Sequence, residues 1–346
     1  MYIECVPNIS EGKDIEKIER IVDAAQSVED CVILGVEPDA DYNRTVITIA
    51  GLPENVYEGA KALVLKAIEE IDMNTHKGEH PRMGAVDVCP FVPLDDSMME
   101  TCVILGKRLA EEIEAATKVP TFLYGFAASS DERRLLSDLR KGQYEGLIDR
   151  FTDNHNHIDE RIRFPDFGEG EWNDIVARSG CITIGARDIL IAYNVNVHEK
   201  DAKVSKLIGS LVRSSGRLMK DGRNRKTRLP GLLTKVQGMG VPLERLGISQ
   251  VSMNLLDRFA TPLHTAYLAC KSIASDHDVT VEGSEIVGLV PLQSMIDAGK
   301  HFCTEDDLSI SELVECAIEG LGLREFHEFH PNTHIIEWAI EKELSN

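Results

Sequence analysis

The feature that most constrains the fold of this chain is the alternation of short apolar runs with amphipathic helical patterns. RTVITIAG and GAVDVCPFVPL are runs of strand length, whereas Ile15, Ile18 and Ile21 recur at helical spacing in the segment before them. An element with one apolar face must bury that face against another element. The order of strands and helices therefore predicts an α/β fold, an α+β sandwich in which helices cover one face of a sheet.

The length of the chain predicts more than one domain. Its 346 residues exceed the size at which a single hydrophobic core stops growing, about 250–300 residues. The stretch 130–178 is polar, which suggests a helical excursion followed by a loop joining two domains. The alternation restarts with CITIGARDILIAYNVNV, whose pattern suggests paired strands. We expect a first domain at 1–178, a second at 179–330 and a polar helical tail at 331–346.

The net charge of the chain limits the classes of partner that it can bind. A net charge of −21 argues against binding to nucleic acid or to an acidic membrane surface. An anionic substrate would need a local pocket of cations and backbone N–H groups. No run is long and apolar enough to span a bilayer, and the N-terminus lacks the basic region of a signal peptide, so we expect a cytoplasmic protein.

The eight cysteines are scattered, and none forms a CxxC pair. Several lie within apolar runs such as VDVCPF and CITIG, where a free thiol behaves as a small hydrophobic side chain. This usage predicts reduced, buried thiols rather than a disulfide framework or a zinc site.

The segment GEHPRMGAVDVCPF contains the histidine with the clearest chemical potential, His80. Pro81 disfavours a helical conformation at that residue. An imidazole between Glu79 and Arg82 is suited to moving a proton near neutral pH. Asp87, inside the following strand, needs a partner, and His80 and Arg82 are near in sequence. Spacing alone leaves open a catalytic histidine and a loop histidine with a structural hydrogen bond.

The segment DADYNRTV gathers Asp39, Asp41, Asn43 and Arg44 just before a strand. Such a cluster can bind a cation or simply form a turn. At the start of a strand, Arg44 is well placed to hold a carboxylate through two parallel hydrogen bonds.

Two further segments have both a functional and a structural interpretation. In VPNISEG, Asn8 or Ser10 can cap the following helix, whose N-terminal N–H groups can also bind an anion. The basic run from Arg213 to Arg228 either contacts a polyanionic substrate tail or forms a solvated loop.

Histidine-rich segments at 155–157 and 327–334 raise the possibility of a zinc site. Neither is accompanied by cysteines at finger-like spacing, and the HExxH pattern is absent. We therefore expect no metal.

Several blocks taken together resemble the glutamate formiminotransferase family, folate-dependent enzymes of histidine degradation. The blocks run in the family's order from about residue 3 to about residue 300: ECVPNISEGKD, YNRTVITIAG, HKGEHPRMGAVDVCPFVPL, FPDFGEG with GARDILIAYNVNV, QVSMNLLD with PLHTAY, and EIVGLVPL. The resemblance implies two α/β subdomains, each a sheet covered by helices on its outer face, with a substrate tunnel between them, and a homodimer. Because the chain ends at Asn346, it resembles the stand-alone form without a cyclodeaminase domain.

The resemblance also implies an activity. The formimino group of N-formimino-L-glutamate would pass to N5 of tetrahydrofolate, the co-substrate, giving 5-formiminotetrahydrofolate and L-glutamate without a metal. His80 takes the role of the family's catalytic histidine, acting as general acid and base. Folate contacts are assigned to the segment from Gly168 to Ser179 and Gly180.

The proposed chemistry suggests substrate contacts in the same segments. The carboxylates of the glutamyl substrate need cations, for which Arg44 and Arg82 are our candidates. The cationic amidine needs an acid, for which Asp39, Asp41 and Asp87 are candidates. Asn43 and Glu79, which belong to the same two segments, complete the predicted substrate contacts.

Three other functions remain open. A formyl rather than a formimino group could pass between glutamate and a folate in a similar site. The chain could instead bind folate without catalysis, or it could be a metallohydrolase, which a chelator would inactivate.

Overall fold

The computed structural model describes residues 1–40, 42–78, 81–152, 158–220, 222, 225–243, 246–305, 307–326 and 328–345. They form two compact units, Met1–Asp188 and Ile189–Lys342, and the last residues, Glu343–Asn346, are grouped with the first unit. Each unit combines a β-sheet with helices, which confirms the predicted α/β architecture.

The first unit begins with the strands and helices that the apolar patterns predict. Its strands are β1 (Ile3–Cys5), β2 (Asn8–Ile9), β3 (Val32–Asp39), β4 (Arg44–Gly51), β5 (Val86–Pro93), β6 (Thr121–Gly125) and β7 (Ile182–Ala186). Its helices are α1 (Ile15–Gln26), α2 (Pro53–Glu70), α3 (Met99–Thr117), α4 (Leu136–Leu139), α5 (Leu147–Phe151), α6 (Glu160–Arg163) and α7 (Asp174–Ser179).

One sheet runs through the first unit. The short strands β1 and β2 lie one after the other between β4 and β5, because both pair antiparallel with each of these neighbours. β3 extends the sheet beyond β4, and on the other side β5, β7 and β6 run parallel to one another. The resulting order is β3, β4, β1 with β2, β5, β7, β6.

Two apolar layers cover this sheet. Ile18, Ile21 and Val22 of α1 are buried in the same hydrophobic cluster as side chains of α2, α3 and the sheet. Burial of each such side chain contributes about 1.5–3 kcal/mol to folding. Ile15, the first residue of α1, is exposed instead. A second cluster joins Phe122 of β6 to side chains of the short helices α4 to α7, which form the predicted helical excursion of 130–178.

A buried arginine holds those short helices together. Arg150 is 1% exposed, and its guanidinium donates to the carbonyl oxygens of Leu139, Ile162 and Arg163 while lying 4.6 Å from the Phe122 ring centroid. Burial lowers the pKa of Arg150 to about 10. The carbonyl groups stabilise the charge where no water reaches it.

The predicted pairing of strands in CITIGARDILIAYNVNV is wrong. β7 is parallel to β5 and β6 in the sheet of the first unit, whereas the strand after it, β8 (Ile191–Val197), belongs to the sheet of the second unit. The two units therefore divide after Asp188, later in the sequence than the predicted division after residue 178. The restart of the alternation marked a new strand but not a new domain.

The second unit consists of a four-stranded antiparallel sheet, a separate hairpin and helices. Its remaining strands are β9 (Arg217–Lys220), β10 (Lys226–Leu229), β11 (Val236–Leu243), β12 (Ile248–Leu255) and β13 (Val281–Val287). Its helices are α8 (Lys203–Val212), α9 (Leu263–Ser275), α10 (Leu292–Phe302), α11 (Ile310–Leu321), α12 (Pro331–His334) and α13 (Ile336–Leu344). The sheet order is β11, β12, β8, β13.

Alternation along the central strands gives this sheet one apolar and one polar face. Tyr193 and Val251 are buried in a cluster with side chains of α8 to α11. On the other face, the side-chain amide of Gln250 donates to Asn196 at 2.8 Å and to Glu285 at 3.1 Å. Amide and carboxylate groups thus bind one another along the polar face, whereas the side-chain nitrogen of Asn196 is buried without a partner among the described residues.

Two expectations for the second half need correction. The basic run, for which a solvated loop was one interpretation, follows the end of α8 at Val212, and described residues of the run form the β9–β10 hairpin. The predicted tail is not separate, because Ile335 bridges to Val290 and is buried in the cluster of the second unit.

The cysteine prediction holds for six thiols and fails for two. Cys5, Cys31, Cys89, Cys102, Cys181 and Cys270 are free and buried. Cys303 and Cys316 form a disulfide that joins the residue after α10 to α11. The sequence did not indicate this pair because the two residues are separated by 13 positions and become neighbours only when the helices pack together.

Within the described ranges, no helix is both long enough and apolar enough to cross a membrane.

Candidate active site

The segments singled out in the sequence of the first unit converge at one end of its sheet. Ile9, at the end of β2, pairs with Thr45 at the start of β4 and with Val86 at the start of β5. Gly84, just before β5, bridges to Gly180, just before β7. The residues beside these strand ends therefore form a single region. We call it the site edge and define it as the described residues among 10–12, 39–44, 76–85 and 179–181.

Glycine allows the segments at the site edge to approach one another closely. A Cβ on Gly12 would lie 2.2 Å from the Asp39 carbonyl oxygen, and one on Gly84 would lie 2.5 Å from that of Ser179. Gly180 adopts a φ of +67° and faces the Met83 carbonyl oxygen, which would lie 2.1 Å from an added Cβ. Larger residues would push these backbones apart.

Backbone hydrogen bonds connect the segment before β5 to the segment before β7. The N–H of Ala85 donates to the Ser179 carbonyl oxygen at 2.8 Å, and the N–H of Cys181 donates to that of Met83 at 3.0 Å. Ser179 and Gly180, two of the predicted folate contacts, thus lie beside the segment that follows His80 in the sequence.

Gly168, the third predicted folate contact, lies farther along the same end of the sheet. Phe167 bridges to Thr121 at the start of β6, and Thr121 pairs with Ile182 of β7. A Cβ on Gly168, whose φ is +96°, would contact Glu114 and Pro120.

Asn43 connects three segments of the site edge. Its side-chain oxygen accepts from the N–H of Gly12 at 3.0 Å, and its side-chain nitrogen donates to the Lys77 carbonyl oxygen at 2.8 Å. The backbone of Asn43 has a φ of +51°, a conformation that asparagine tolerates better than most residues. Both ends of the Asn43 amide therefore bind the protein itself.

Among the cationic side chains of the site edge, Arg44 is the best placed to bind an anion. It is half-buried at the first position of β4, where it pairs with Asp39. Its Nε is buried and has no hydrogen-bond partner in the described parts of the chain. The guanidinium carbon lies 5.6 Å from the Tyr42 ring centroid, and Asp39 accepts from the N–H of Tyr42 at 2.9 Å. A buried N–H without a partner destabilises the folded state, so an acceptor that binds it, such as a substrate carboxylate, gains free energy of binding.

Arg82 is 4% exposed and binds other side chains. Its two terminal nitrogens donate to the Glu145 carboxylate at 2.8 and 2.6 Å, and its Nε donates to Nδ1 of His76 at 3.2 Å. The fork that we expected to hold a substrate carboxylate therefore holds a carboxylate of the protein.

The hydrogen bonds of His76 fix its tautomer. An arginine Nε always carries a proton, so Nδ1 of His76 accepts and Nε2 carries the ring proton. That proton is donated to the Asn43 carbonyl oxygen at 2.9 Å. Burial and the charge of Arg82 lower the pKa of His76, whereas Asn43, Glu11 and Glu145 oppose the shift.

Asp87 is 1% exposed, and its described partners differ from the expected ones. Its carboxylate accepts from Nε and Nη2 of Arg140, and one oxygen also accepts from the N–H of Met83 at 3.0 Å. Arg82, one of the two expected partners, binds Glu145 instead. Folding brings Arg140 to this strand from 53 positions away in the sequence.

The start of α1 also differs from expectation. Asp14 caps the helix by accepting from the N–H of Lys17, and Glu11 accepts from the N–H groups of Lys13 and Asp14. Ser10, one of the two expected caps, donates instead to the Gly84 carbonyl oxygen at 2.7 Å.

Asp41, Glu79 and His80 lie outside the described residues. The nearest described neighbours of Glu79 and His80 in the sequence are Gly78 and Pro81. A Cβ on Gly78 would lie 2.3 Å from the Tyr42 carbonyl oxygen, so this end of the segment packs against the turn before β4.

The histidine-rich segments are only partly described. Residues 155–157 and 327 lie outside the described ranges. In the rest of the chain, no group of three or more His, Cys, Asp and Glu side chains is arranged to hold a metal ion.

The sequence did not indicate a role for three residues of this region. His76, Arg140 and Glu145 complete the polar contacts of Asn43, Asp87 and Arg82. The HKGEHPR segment gave a weak signal for His76, because a second histidine precedes His80 by four positions. Arg140 and Glu145 gave none, since they lie in the polar stretch between the predicted domains.

Comparison with known proteins is consistent with this arrangement. Residues 2–187 match the formiminotransferase domain, N-terminal subdomain, and residues 192–341 match the formiminotransferase domain. These two ranges correspond closely to the two units.

Individual relatives cover nearly the whole chain. A glutamate formimidoyltransferase of Thermoplasma acidophilum is 39% identical over 92% of this chain and 97% of its own length. A second, of Streptococcus pyogenes serotype M1, is 35% identical over 88% and 94%. The formimidoyltransferase-cyclodeaminase of Rattus norvegicus is 38% identical over 98% of this chain, which spans 60% of that protein. The chain therefore belongs to the formiminotransferase family.

Proposed function

We propose that this protein is a glutamate formimidoyltransferase, which moves the formimino group of N-formimino-L-glutamate to N5 of tetrahydrofolate. The observation that carries the proposal is the match to the Thermoplasma acidophilum enzyme of that name, which extends over 92% of this chain and 97% of the relative. Tetrahydrofolate is then a co-substrate, and the products are 5-formiminotetrahydrofolate and L-glutamate.

The reaction needs one group that can take up a proton and return it. N5 attacks the amidine carbon and forms a tetrahedral intermediate, after which N5 loses its proton. The glutamate nitrogen gains a proton as its bond to the former amidine carbon breaks. We assign both transfers to His80, because an imidazole has a pKa near the working pH. This role follows from the family resemblance of the GEHPRMG segment.

Binding of the glutamyl carboxylates is assigned to Arg44. Two observations support the assignment: the Nε of this residue has no partner among the described residues, and Arg44 lies at the site edge. A guanidinium can bind a carboxylate through two parallel hydrogen bonds. Asp39, which pairs with Arg44 in the sheet, is our candidate for holding the cationic amidine, together with Asp41. Asp87, the third candidate from the sequence, binds Arg140, and Glu79 stays a predicted substrate contact.

Folate binding is assigned to the segment from Gly168 to Gly180. The first residue of this segment, Gly168, and its last two, Ser179 and Gly180, lie where the parallel strands begin. This common location supports one extended binding region. The homodimer and the cytoplasmic location expected from the sequence remain predictions.

Mass spectrometry of the purified chain with both substrates tests the function. We expect 5-formiminotetrahydrofolate and L-glutamate in equal amounts. N-formyl-L-glutamate in place of the formimino donor tests formyl transfer, and the chelator EDTA tests a metallohydrolase. Calorimetric binding of tetrahydrofolate without any product would favour a folate-binding protein and would contradict our proposal.

Variants at the site edge test the assigned roles. We expect His80→Ala to lower turnover about 100-fold or more while tetrahydrofolate still binds. Arg44→Ala should mainly raise the KM for formiminoglutamate, and Arg44→Lys should recover part of the affinity. His277→Ala is the matched control, because His277 is exposed in the second unit. Normal turnover in His80→Ala would remove this residue from proton transfer.

A further inference from the structure

Arg82 and His76 close a loop in the segment that contains His80. The two side chains meet through the 3.2 Å hydrogen bond from Nε of Arg82 to Nδ1 of His76. Only five residues separate them in the sequence, and residues 79 and 80 are among these five. We call the pair of side chains the clasp.

The side of the loop that begins at His76 is attached to the turn before β4. His76 donates to the Asn43 carbonyl oxygen at 2.9 Å, and the Asn43 side chain donates to the Lys77 carbonyl oxygen at 2.8 Å. Gly78 then packs directly against the backbone of Tyr42. Three successive residues are thereby fixed to one turn.

The side that ends at Arg82 is attached to different parts of the first unit. The guanidinium binds Glu145 through two hydrogen bonds, and the Arg82 carbonyl oxygen accepts from the N–H of Tyr144 at 2.8 Å. Met83 follows, with its N–H donated to Asp87 and its carbonyl oxygen accepting from Cys181. The clasp connects these two attached sides to each other.

All described polar contacts of Arg82 and of the Asn43 side chain thus serve the protein itself. A substrate carboxylate could bind the guanidinium of Arg82 through two parallel hydrogen bonds only by displacing Glu145 or His76, because Glu145 occupies the two terminal nitrogens and His76 occupies Nε. The Asn43 amide would have to release Gly12 or Lys77. Displacing His76 or Gly12 would leave a half-buried or buried polar group without its partner, which is unfavourable, whereas the Glu145 side chain is 62% exposed and could turn to water.

We propose that His76, Arg82 and Asn43 are positioning residues that fix the two ends of the segment carrying the catalytic histidine and do not bind the glutamyl substrate. This inference rests on the proposed function, because it assigns proton transfer to His80. In the sequence, His80 is joined directly to Pro81 by one peptide bond. Holding Pro81 and Arg82 in place therefore limits where the imidazole can lie. A displacement of about 1 Å at a reacting group lowers the rate about 100-fold.

Steady-state kinetics of His76→Ala, His76→Gln and Arg82→Lys test the proposal. We expect His76→Ala and Arg82→Lys to lower kcat about 10- to 100-fold while both KM values change less than about threefold. In Arg82→Lys a charge remains, but one ammonium cannot span both Glu145 and His76. His76→Gln should recover part of kcat, since a neutral amide can still donate to the Asn43 carbonyl group.

The alternative that Arg82 binds substrate makes the opposite prediction. Arg82→Lys would then raise the KM for formiminoglutamate by tenfold or more with little change in kcat. That outcome, or kinetics equal to those of the unaltered protein in all three variants, would overturn the proposal that the clasp positions His80. Arg20→Lys is the matched control, because Arg20 forms an equally forked pair with Glu70 on the surface of the same unit.

Hydrogen exchange gives a measurement that does not depend on catalysis. Mass spectrometry of the peptide covering 74–84 should show at least tenfold faster exchange in His76→Ala and Arg82→Lys, and no change in Arg20→Lys. Unchanged exchange in both clasp variants would overturn the proposal. If the unaltered protein shows no transfer while the clasp variants exchange faster, the proposed function fails and the closed loop stands.

Discussion

Replacement of Asp87 by alanine tests how the polar contacts beneath the site edge stabilise the first unit. The carboxylate is 1% exposed, and its described partners are the guanidinium of Arg140 and the N–H of Met83. Asp87→Ala removes an acceptor from a buried charge and from a backbone N–H at once. Asp87→Asn keeps one oxygen for the N–H of Met83 and for Nε of Arg140, but it loses the charge and replaces the other acceptor by an NH2 group that cannot accept from Nη2 of Arg140.

The magnitude follows from the burial of the two partners. Removing one member of a buried ion pair lowers the free energy of unfolding by about 3–5 kcal/mol. The Arg140 side chain is 17% exposed and can partly turn to water, whereas the Met83 N–H cannot. We therefore expect about 3–4 kcal/mol for Asp87→Ala and about 2 kcal/mol for Asp87→Asn. The double variant with Arg140→Ala should be more stable than additivity predicts, by about 1–3 kcal/mol.

Tryptophan fluorescence can follow the first unit by itself. The chain has two tryptophans, of which Trp172 packs on the cluster of the first unit and Trp338 on that of the second. In a Trp338→Phe background, Trp172 alone reports urea unfolding. A loss below about 1 kcal/mol for Asp87→Ala, or strict additivity with Arg140→Ala, would refute the reasoning.

Two further predictions concern pH and redox state. Because the pKa of His76 is lowered in the folded chain, the unfolded chain takes up a proton there first as the pH falls below about 6.5, so the first unit should lose stability from that pH downward. Arg82, Glu11 and Glu145 are the charged groups that act on this imidazole. In His76→Gln, the midpoint of urea unfolding should depend less on pH between pH 6.5 and pH 5. An unchanged dependence on pH would count against the assignment. Reduction of the Cys303–Cys316 disulfide, which closes a loop of 13 positions, should lower the stability of the second unit by about 3 kcal/mol and shift thermal unfolding measured by calorimetry. A Cys303→Ser variant should match the reduced protein, and equal melting temperatures with and without reductant would contradict the prediction.

The elements of this fold could be predicted largely from local patterns. The helical spacing around Ile18 and Ile21 predicted α1, and the runs RTVITIAG and GAVDVCPFVPL predicted β4 and β5. These elements bury most of the side chains that the patterns marked as apolar, although Ile15 is exposed. Pattern reasoning failed for β7, because a short buried strand looks the same in either sheet and only pairing with β5 and β6 assigns it.

The sequence predicted which segments lie together at the site edge better than it predicted the contacts of their side chains. The two segments around Arg44 and Arg82 do meet at the site edge, and Gly180 lies beside them. Residue type suggested that each polar side chain in them faces a substrate. In the structure Arg82 instead forms an ion pair with Glu145. Arg82 is 4% exposed, and a buried charge needs a partner within the protein.

The sequence by itself determined the family, most of the strands and helices, and the segments in which we propose that the chemistry takes place. These properties follow from residue type and spacing, which are local. Only the tertiary structure decided which partners the polar side chains take, since Glu145 lies 63 positions from Arg82 and Arg140 lies 53 positions from Asp87. A buried charge must be satisfied by whatever group the fold brings within hydrogen-bonding distance, and spacing along the chain does not encode that distance.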